Sequence, residues 1–402
     1  MLTTYRRLLT LPGAASFTVA GFVTRMPISM IGLGCVLLIT RSGGSYALAG
    51  AVAATVALVS SATTPTLARI ADRHGQAGLI AGGLAVETAG ILLLVGAVRW
   101  HAPGWLLLAT AGLIGVGHVP VGTLVRVRWS HATVGTGLGH VAYSWEAVLD
   151  EVIFVAGPVL VTLLCTRVAP RAGLLAAAAI GVVGGCLLLP QRASEPPRST
   201  ARSRSAGPAI RHPVVRGVAL VSFGLGGIFG SVEVAVVAIV TERGQAGLAG
   251  LVLAAFATGS MVAGLVHGAL RPATRVARRL VWTTAGLTVA LGTLQPLPNT
   301  AALAVVIFVA GLAVAPSLIS SVTLIGSTVP EGARTEAMSW LSTGIGFGLA
   351  AGATVVGRVI DEYGARPAFW VPVVAGGFAV AAAAFTARRS PAPATGTAVS
   401  RG

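Results

Sequence analysis

Lysine is missing altogether: every one of the 28 basic residues is an arginine. A phosphate-gripping P-loop needs a lysine, so an ATPase of that type is excluded. Acids are scarce, 12 in 402 residues, and charged residues make up only 10% of the chain, where a soluble globular chain carries roughly 25%. Cysteine is rarer still. Cys35, Cys165 and Cys186 lie far apart in apolar segments, without metal-type spacing, and read as small core residues. The formal net charge of +16 is no sign of nucleic acid, because the arginines form no patch or stripe and sit at the ends of apolar runs.

Apolar runs are what the chain has in abundance. A helix needs about 20 mostly apolar residues to cross the hydrocarbon core. Twelve such runs are predicted, at 14–39, 46–68, 77–98, 104–126, 138–165, 172–190, 214–240, 246–270, 280–296, 300–326, 333–357 and 367–387, numbered here as spans 1 to 12. The first follows Arg6 and Arg7; it is too long for a signal-peptide core and is read as a retained membrane helix. With both termini in the cytoplasm, 20 arginines fall on the cytoplasmic side and seven on the other, with Arg25 inside span 1. The positive-inside rule favours that orientation.

The stretch 191–213 is rich in Pro, Ser and Arg. It reads as a flexible polar cytoplasmic tether, or as a linker whose arginines meet anionic headgroups. It divides a six-helix bundle at 1–190 from a second at 214–402, which ends in a short tail expected to be disordered. The halves resemble each other. Ala142-Tyr143-Ser144-Trp145 recurs as Ala337-Met338-Ser339-Trp340, and a glycine, Gly157 or Gly352, follows each Trp at the same distance. Gly115 and Pro120 match Gly311 and Pro316, and Ser16-Phe17 matches Ser222-Phe223. These pairs set spans 1, 4 and 5 over 7, 10 and 11, as two parallel repeats require.

After span 2 the chain reads Ala68-Arg69-Ile70-Ala71-Asp72-Arg73-His74-Gly75. With Asp72, Arg73 and Gly75 in place, this resembles the Gly-x-x-x-Asp-Arg-x-Gly-Arg motif of the major facilitator superfamily, with Ala68 for the leading glycine and no trailing arginine. The resemblance implies a fold of twelve helices in two pseudo-symmetric bundles. It also implies that this loop is a cytoplasmic charge latch that helps hold the outward-facing state; the plainer reading is a topological anchor with a turn. Span 5 carries Gly157-Pro158, similar to the span 5 motif of the drug-efflux branch, where a flexible Gly-Pro segment is tied to antiport.

Charges inside the membrane carry the sharpest chemical signal. A charged side chain at mid-bilayer costs about 2.5–3.5 kcal/mol on the insertion scale, so it faces a cavity or finds a partner. Span 5 holds Glu146, Asp150 and Glu151; the first two are four apart and share a helix face. Arg25 interrupts span 1 and needs a partner; the resemblance, in which spans 1 and 5 both line the cavity, implies the span 5 acids as candidates, whether as a structural pair or at a substrate site. Glu233 lies in span 7 at nearly the depth of Arg25. Glu336 opens span 11 and reads either as a gate or as a ligand, with Thr328 and Glu331 fitting a capping box. His118 in span 4 is a further candidate, and Glu87 in span 3 reads as structural. Gly344, Gly348 and Gly352 read as a packing ladder.

The expected function is proton-coupled efflux of a small organic molecule, with the proton gradient rather than a cofactor as driving force. The expected partners are the solute and the lipid bilayer, without nucleic acid, for a monomeric protein. Import or facilitated passage on the same fold is the alternative. No metal cluster and no nucleophile–base pair points to an intramembrane enzyme.

Overall fold

The structure is a computed structural model that describes residues 2–136, 138–195, 209–269, 276–294, 297, 299–329 and 331–389. It is all-helical over these residues. Span 1 consists of Ala14–Arg25, a 3₁₀ turn at Met26–Ser29 and Ile31–Arg41; span 2 is Tyr46–His74, span 3 Gln76–Arg99, span 5 Gly139–Arg167 and span 6 Ala172–Leu188. Span 4 is broken into Gly104–Gly117 and Val121–Ala132. The second half runs Pro213–Glu242, Ala249–Ala269, Val276–Gly292, the broken pair Thr300–Gly311 and Val314–Thr328, Glu331–Tyr363, and Ala365–Ala368 with Trp370–Arg389. Ten of these are long and apolar enough to cross a bilayer by themselves. Spans 6 and 9 have 17 residues each, about 26 Å of helix, at the short end of what spans. All twelve expected runs are helices. A short helix, Leu2–Leu9, precedes them and buries Leu8.

Prolines set the breaks. In span 4, Pro120 has no N–H for the carbonyl of Val116, and it pushes the residue before it out of the helical region. His118 leaves the helix with φ −71° and ψ 95°, and a new helix starts at Val121. In span 1 the change is gentler: Pro27 lies in the first positions of the 3₁₀ turn, and Met26 before it stays helical at φ −47° and ψ −40°.

Spans 1 and 7 are the inner helices. Of their most apolar stretches, 78% and 83% of residues are buried in protein, against 33% for spans 2, 3, 5 and 8. The halves meet along span 2 with span 11, and span 5 with span 8. Gly50 lies against the Ala353 carbonyl, Gly357 against Tyr46 and Ala47, Gly346 against Ser61, and Gly250 against the Pro158 carbonyl. All but the Ser61 contact lie toward the ends of these helices remote from the chain termini. That side is called here the far face, and the side holding both termini the terminal face.

The first residues of the linker are not a free tether. Glu195 accepts the Gln76 backbone N–H at the start of span 3. The buried Arg128 donates to Gln76 Oε1 at 2.7 Å, Ser194 Oγ at 2.9 Å and the Gln191 carbonyl at 3.1 Å. A 3₁₀ turn at Ala209–Arg211 follows the undescribed part, and span 7 already begins at Pro213.

Candidate functional site

The 3₁₀ turn in span 1 ends its first helix at Arg25, whose side chain is 4% exposed. Its Nε donates to the Gly21 carbonyl at 3.1 Å, fixing the guanidinium against its own helix. From there Nη2 lies 2.6 Å from Glu146 Oε2 and Nη1 2.8 Å from Asp150 Oδ1. The i, i+4 spacing on span 5 therefore presents two carboxylates to one guanidinium. The second Asp150 oxygen is held by Arg126 of span 4. The other Glu146 oxygen accepts the Trp129 indole N–H at 2.8 Å. Trp129 is itself fully buried, edge-on to Phe17 with ring centroids 4.7 Å apart.

The result is a four-charge network that sums to zero. Its members differ in access. Glu146 is completely buried, whereas the Asp150 and Arg126 side chains are 29% and 41% exposed. Asp150 is thus the acid that faces open space, and each of its two cationic partners comes from a different helix.

That open space is a cavity of about 200 Å³ walled by spans 1, 3, 4 and 5. Arg25, Arg126 and Asp150 form one polar wall, and Glu87 and His118 form another. His118 Nδ1 is 2.8 Å from Glu87 Oε1. Ile28, Leu84, Ile153 and Phe154 are among the apolar walls between them. Glu87, expected to be structural, is thus a cavity residue. Arg126 and Trp129 are additions that the sequence did not single out: Arg126 reads as a helix-end anchor and Trp129 as core. Their only signal is position, one and two turns past the Pro120 break.

Glu151 points elsewhere, half-buried, with no hydrogen bond or ion pair among the described residues. Glu233 belongs to the second half but faces the first: a Cβ added to Gly32 of span 1 would sit 3.1 Å from Glu233 Oε1. The Glu336 side chain lies outside the described residues, as do those of Asp72 and Arg73, whose backbones close the last turns of span 2. Gly75 makes the turn after them at φ 93°. Of the expected capping box, the Glu331 side chain lies outside the described residues, and Thr328 is engaged elsewhere. Thr328 ends the preceding helix and donates back to the Leu324 carbonyl at 2.6 Å, the local bond that a threonine hydroxyl makes when its residue is still helical.

Gly157 and Pro158 lie inside the span 5 helix. The Ser29 hydroxyl fills the space in front of Gly157 and donates to the Ile153 carbonyl at 2.9 Å. The Pro158 carbonyl abuts Gly250 of the other half. The Gly-Pro pair therefore touches span 1 on one side and the partner bundle on the other. The glycine ladder of span 11 packs on span 7, with Gly344 at the Ala219 carbonyl, Gly348 at the Phe223 carbonyl and Gly352 at the Gly227 carbonyl. Among the described residues no group of three His, Cys, Asp or Glu side chains is placed to hold a metal.

Two six-helix halves around paired inner helices, with a compensated charge network at the cavity wall, define a multi-pass helical membrane protein. Residues 218–401 match the family model of the Major Facilitator Superfamily. The fold match extends over the rest of the chain. The nucleoside transporter NupG aligns with a TM-score of 0.71 at 15% identity, covering 92% of this chain and 97% of that one. A bacterial homologue of the iron transporter ferroportin in its inward-facing state aligns at 0.68 and 15%, covering 93% and 98%. The outward-facing homologue with soaked iron aligns at 0.61 and 16%, covering 93% and 99%. A search of curated protein sequences finds no match. Residues 218–401 therefore carry the sequence signature of that superfamily, and the chain over more than nine-tenths of its length has the fold of these solved proteins.

Proposed function

We propose that the protein is a proton-coupled exporter of a small organic molecule, working by alternating access from a cell membrane with both termini in the cytoplasm. The observation that carries this reading is Asp150. It is a partly exposed carboxylate shared between Arg25 and Arg126 at the wall of an intramembrane cavity. A proton taken up there neutralises one of two acids against two cations. The network then holds a net positive charge, and Arg126 loses its partner. A solute that brings its own negative or hydrogen-bond-accepting group can take that place, which links protonation to binding. The Gly157-Pro158 segment supports the export direction through its likeness to the drug-efflux branch. The arginine bias supports the orientation. The scattered donor set favours an organic molecule over a metal ion as cargo, with no cofactor, no nucleic acid and a monomer as the working unit.

Import or facilitated passage is the second reading, favoured by the fold likeness to the nucleoside transporter NupG. One experiment separates them. A thermal-shift screen of small solutes finds the substrate, and proteoliposome flux is then measured with and without a pH gradient. Asp150→Asn is expected to abolish uphill, pH-driven movement while leaving a folded protein. If Asp150→Asn and the Glu146→Gln/Asp150→Asn double variant still move the solute against its gradient, coupling through span 5 is wrong.

A further inference from the structure

Span 2 begins on the far face, and its first N–H groups have no acceptor within their own helix. Ser45 caps it, its hydroxyl oxygen accepting the Leu48 N–H at 3.1 Å. The two donors before Leu48 are taken by a side chain from the other half of the molecule. Tyr46 N–H donates to Asp361 Oδ1 at 2.9 Å and Ala47 N–H to Asp361 Oδ2 at 2.7 Å. Asp361 sits in the last turn of span 11. One carboxylate thus fills both of its oxygens with the positive end of a helix across the interface between bundles. An ionised acceptor makes such bonds roughly twice as strong as neutral ones, and the helix dipole favours the anion there.

The contact is built, not incidental. Gly357, one turn earlier on span 11, faces the Tyr46 carbonyl and the Ala47 Cα so closely that any Cβ would collide with backbone. That glycine is what lets Asp361 reach. The acid is followed by Gly364 at φ 86°, which starts the next helix. The spacing Gly357-x-x-x-Asp361-x-x-Gly364 is that of Ala68-x-x-x-Asp72-x-x-Gly75, and Gly75 turns at φ 93° before span 3 in the same way. The chain therefore uses one turn design on both faces, each time with an acid three residues before the glycine. On the far face that acid holds the two bundles together.

We propose that Asp361 is the far-face latch: the positioning residue whose grip on the N-terminus of span 2 sets how much of the protein is closed on that side. For the far face to open, spans 2 and 11 must part. The carboxylate and both N–H groups then pass to water, which replaces most but not all of what their bonds supply, so the latch is reversible and biases a balance rather than welding the halves. The proposal rests on the alternating-access part of the proposed function and needs neither proton coupling nor a direction of transport.

The test is a distance measurement on the full chain in detergent or liposomes. Nitroxide labels at Ser42→Cys and Tyr363→Cys, both exposed on the far face of opposite halves, report closure in a Cys186→Ala background. The unaltered latch is expected to give mainly the short distance. Asp361→Ala should move the closed-to-open ratio by about tenfold, the size of one lost charge-assisted hydrogen bond. Tyr46→Pro deletes one donor at the first helical position, where proline is tolerated, and should shift the ratio in the same direction. Glu362→Gln, next to the latch, should leave it unchanged. A distribution that stays closed in both Asp361→Ala and Tyr46→Pro at unchanged melting temperature overturns the latch. So does an equal shift in Glu362→Gln. Proton coupling is read from flux alone, so its failure leaves this result standing.

Discussion

Span 1 meets span 5 in the first half, and span 7 meets span 11 in the second. The repeat makes these equivalent helix pairs, yet they are joined by opposite means. The first pair is joined through Arg25, Glu146 and Asp150. The second is joined by glycines that let backbones touch: Gly344, Gly348 and Gly352 on one helix, Gly226 and Gly230 on the other. The register of the repeat shows how complete the replacement is. Glu146, Asp150 and Glu151 fall on Leu341, Ile345 and Gly346; His118, Arg126 and Trp129 fall on Val314, Val322 and Ile325; Arg25 falls on Ser231. Ser231 is buried and spends its hydroxyl on the Gly227 carbonyl at 2.6 Å. One bundle thus concentrates the titratable chemistry and the other is close-packed. On the proposed function, alternating access would move a smooth bundle against a charged one, with Glu233 as an acid that the smooth bundle contributes among the described residues.

The comparison breaks most sharply at Arg25. Replacing it with methionine leaves Glu146 buried without its cation, and breaking a buried pair in this way costs about 3–5 kcal/mol. The melting temperature in detergent should fall accordingly. Because Glu146 is enclosed and Asp150 keeps Arg126, adding Glu146→Gln should recover more of the loss than adding Asp150→Asn. Equal recovery from both would mean that the two acids share Arg25 evenly, and the division into a buried anchor and an accessible acid would fail.

In the second half the equivalent break is steric. Gly348→Ala drives a methyl into the Phe223 carbonyl, and overpacking a close contact costs about 1–3 kcal/mol. The same substitution at Gly286 of span 9, where a Cβ would meet nothing within 4 Å, should be neutral or stabilising by about 0.4–1 kcal/mol. A melting temperature that moves by the same amount and in the same direction in both would show that the Phe223 contact does not decide the outcome.

What was legible in the sequence follows the reach of each signal. Membrane spans are a matter of length and polarity along the chain, so all twelve could be read. The Arg25 partners could be read because an isolated guanidinium in a span must pair, Glu146 and Asp150 share a face, and the family resemblance implies that spans 1 and 5 line one cavity. Arg126, Glu87 and Asp361 could not. Each pairs across helices whose rotation and depth no single span determines: Arg126 looked like a terminal-side anchor, and Asp361 lies beyond the predicted end of span 11 at residue 357. Thr328 misled as a cap because the pattern is local while the end of the preceding helix extends through it. The start of the linker misled because its composition is polar, yet Arg128 and Gln76 fix it by hydrogen bonds that composition does not reveal.

The smallest expected effect tests why Glu146 can stay fully buried. Its two oxygens divide their partners, Arg25 on one and the Trp129 indole on the other. Trp129→Phe keeps an aromatic ring against Phe17 and removes only the N–H donor. An unsatisfied buried acceptor costs about 1–3 kcal/mol, and here the low end is expected because Arg25 still compensates the charge. The informative reading is the interaction with Glu146→Gln, whose amide can keep an acceptor toward the indole. If Trp129→Phe costs the same in the Glu146→Gln background, the indole bond is a neutral packing detail. If its cost shrinks once the charge is gone, the indole helps hold Glu146 as an anion. The first bundle then holds its fixed charge by hydrogen bonding from span 4 as well as by the guanidinium of span 1, a support that Ile325 at the equivalent place in the second bundle has no donor to give.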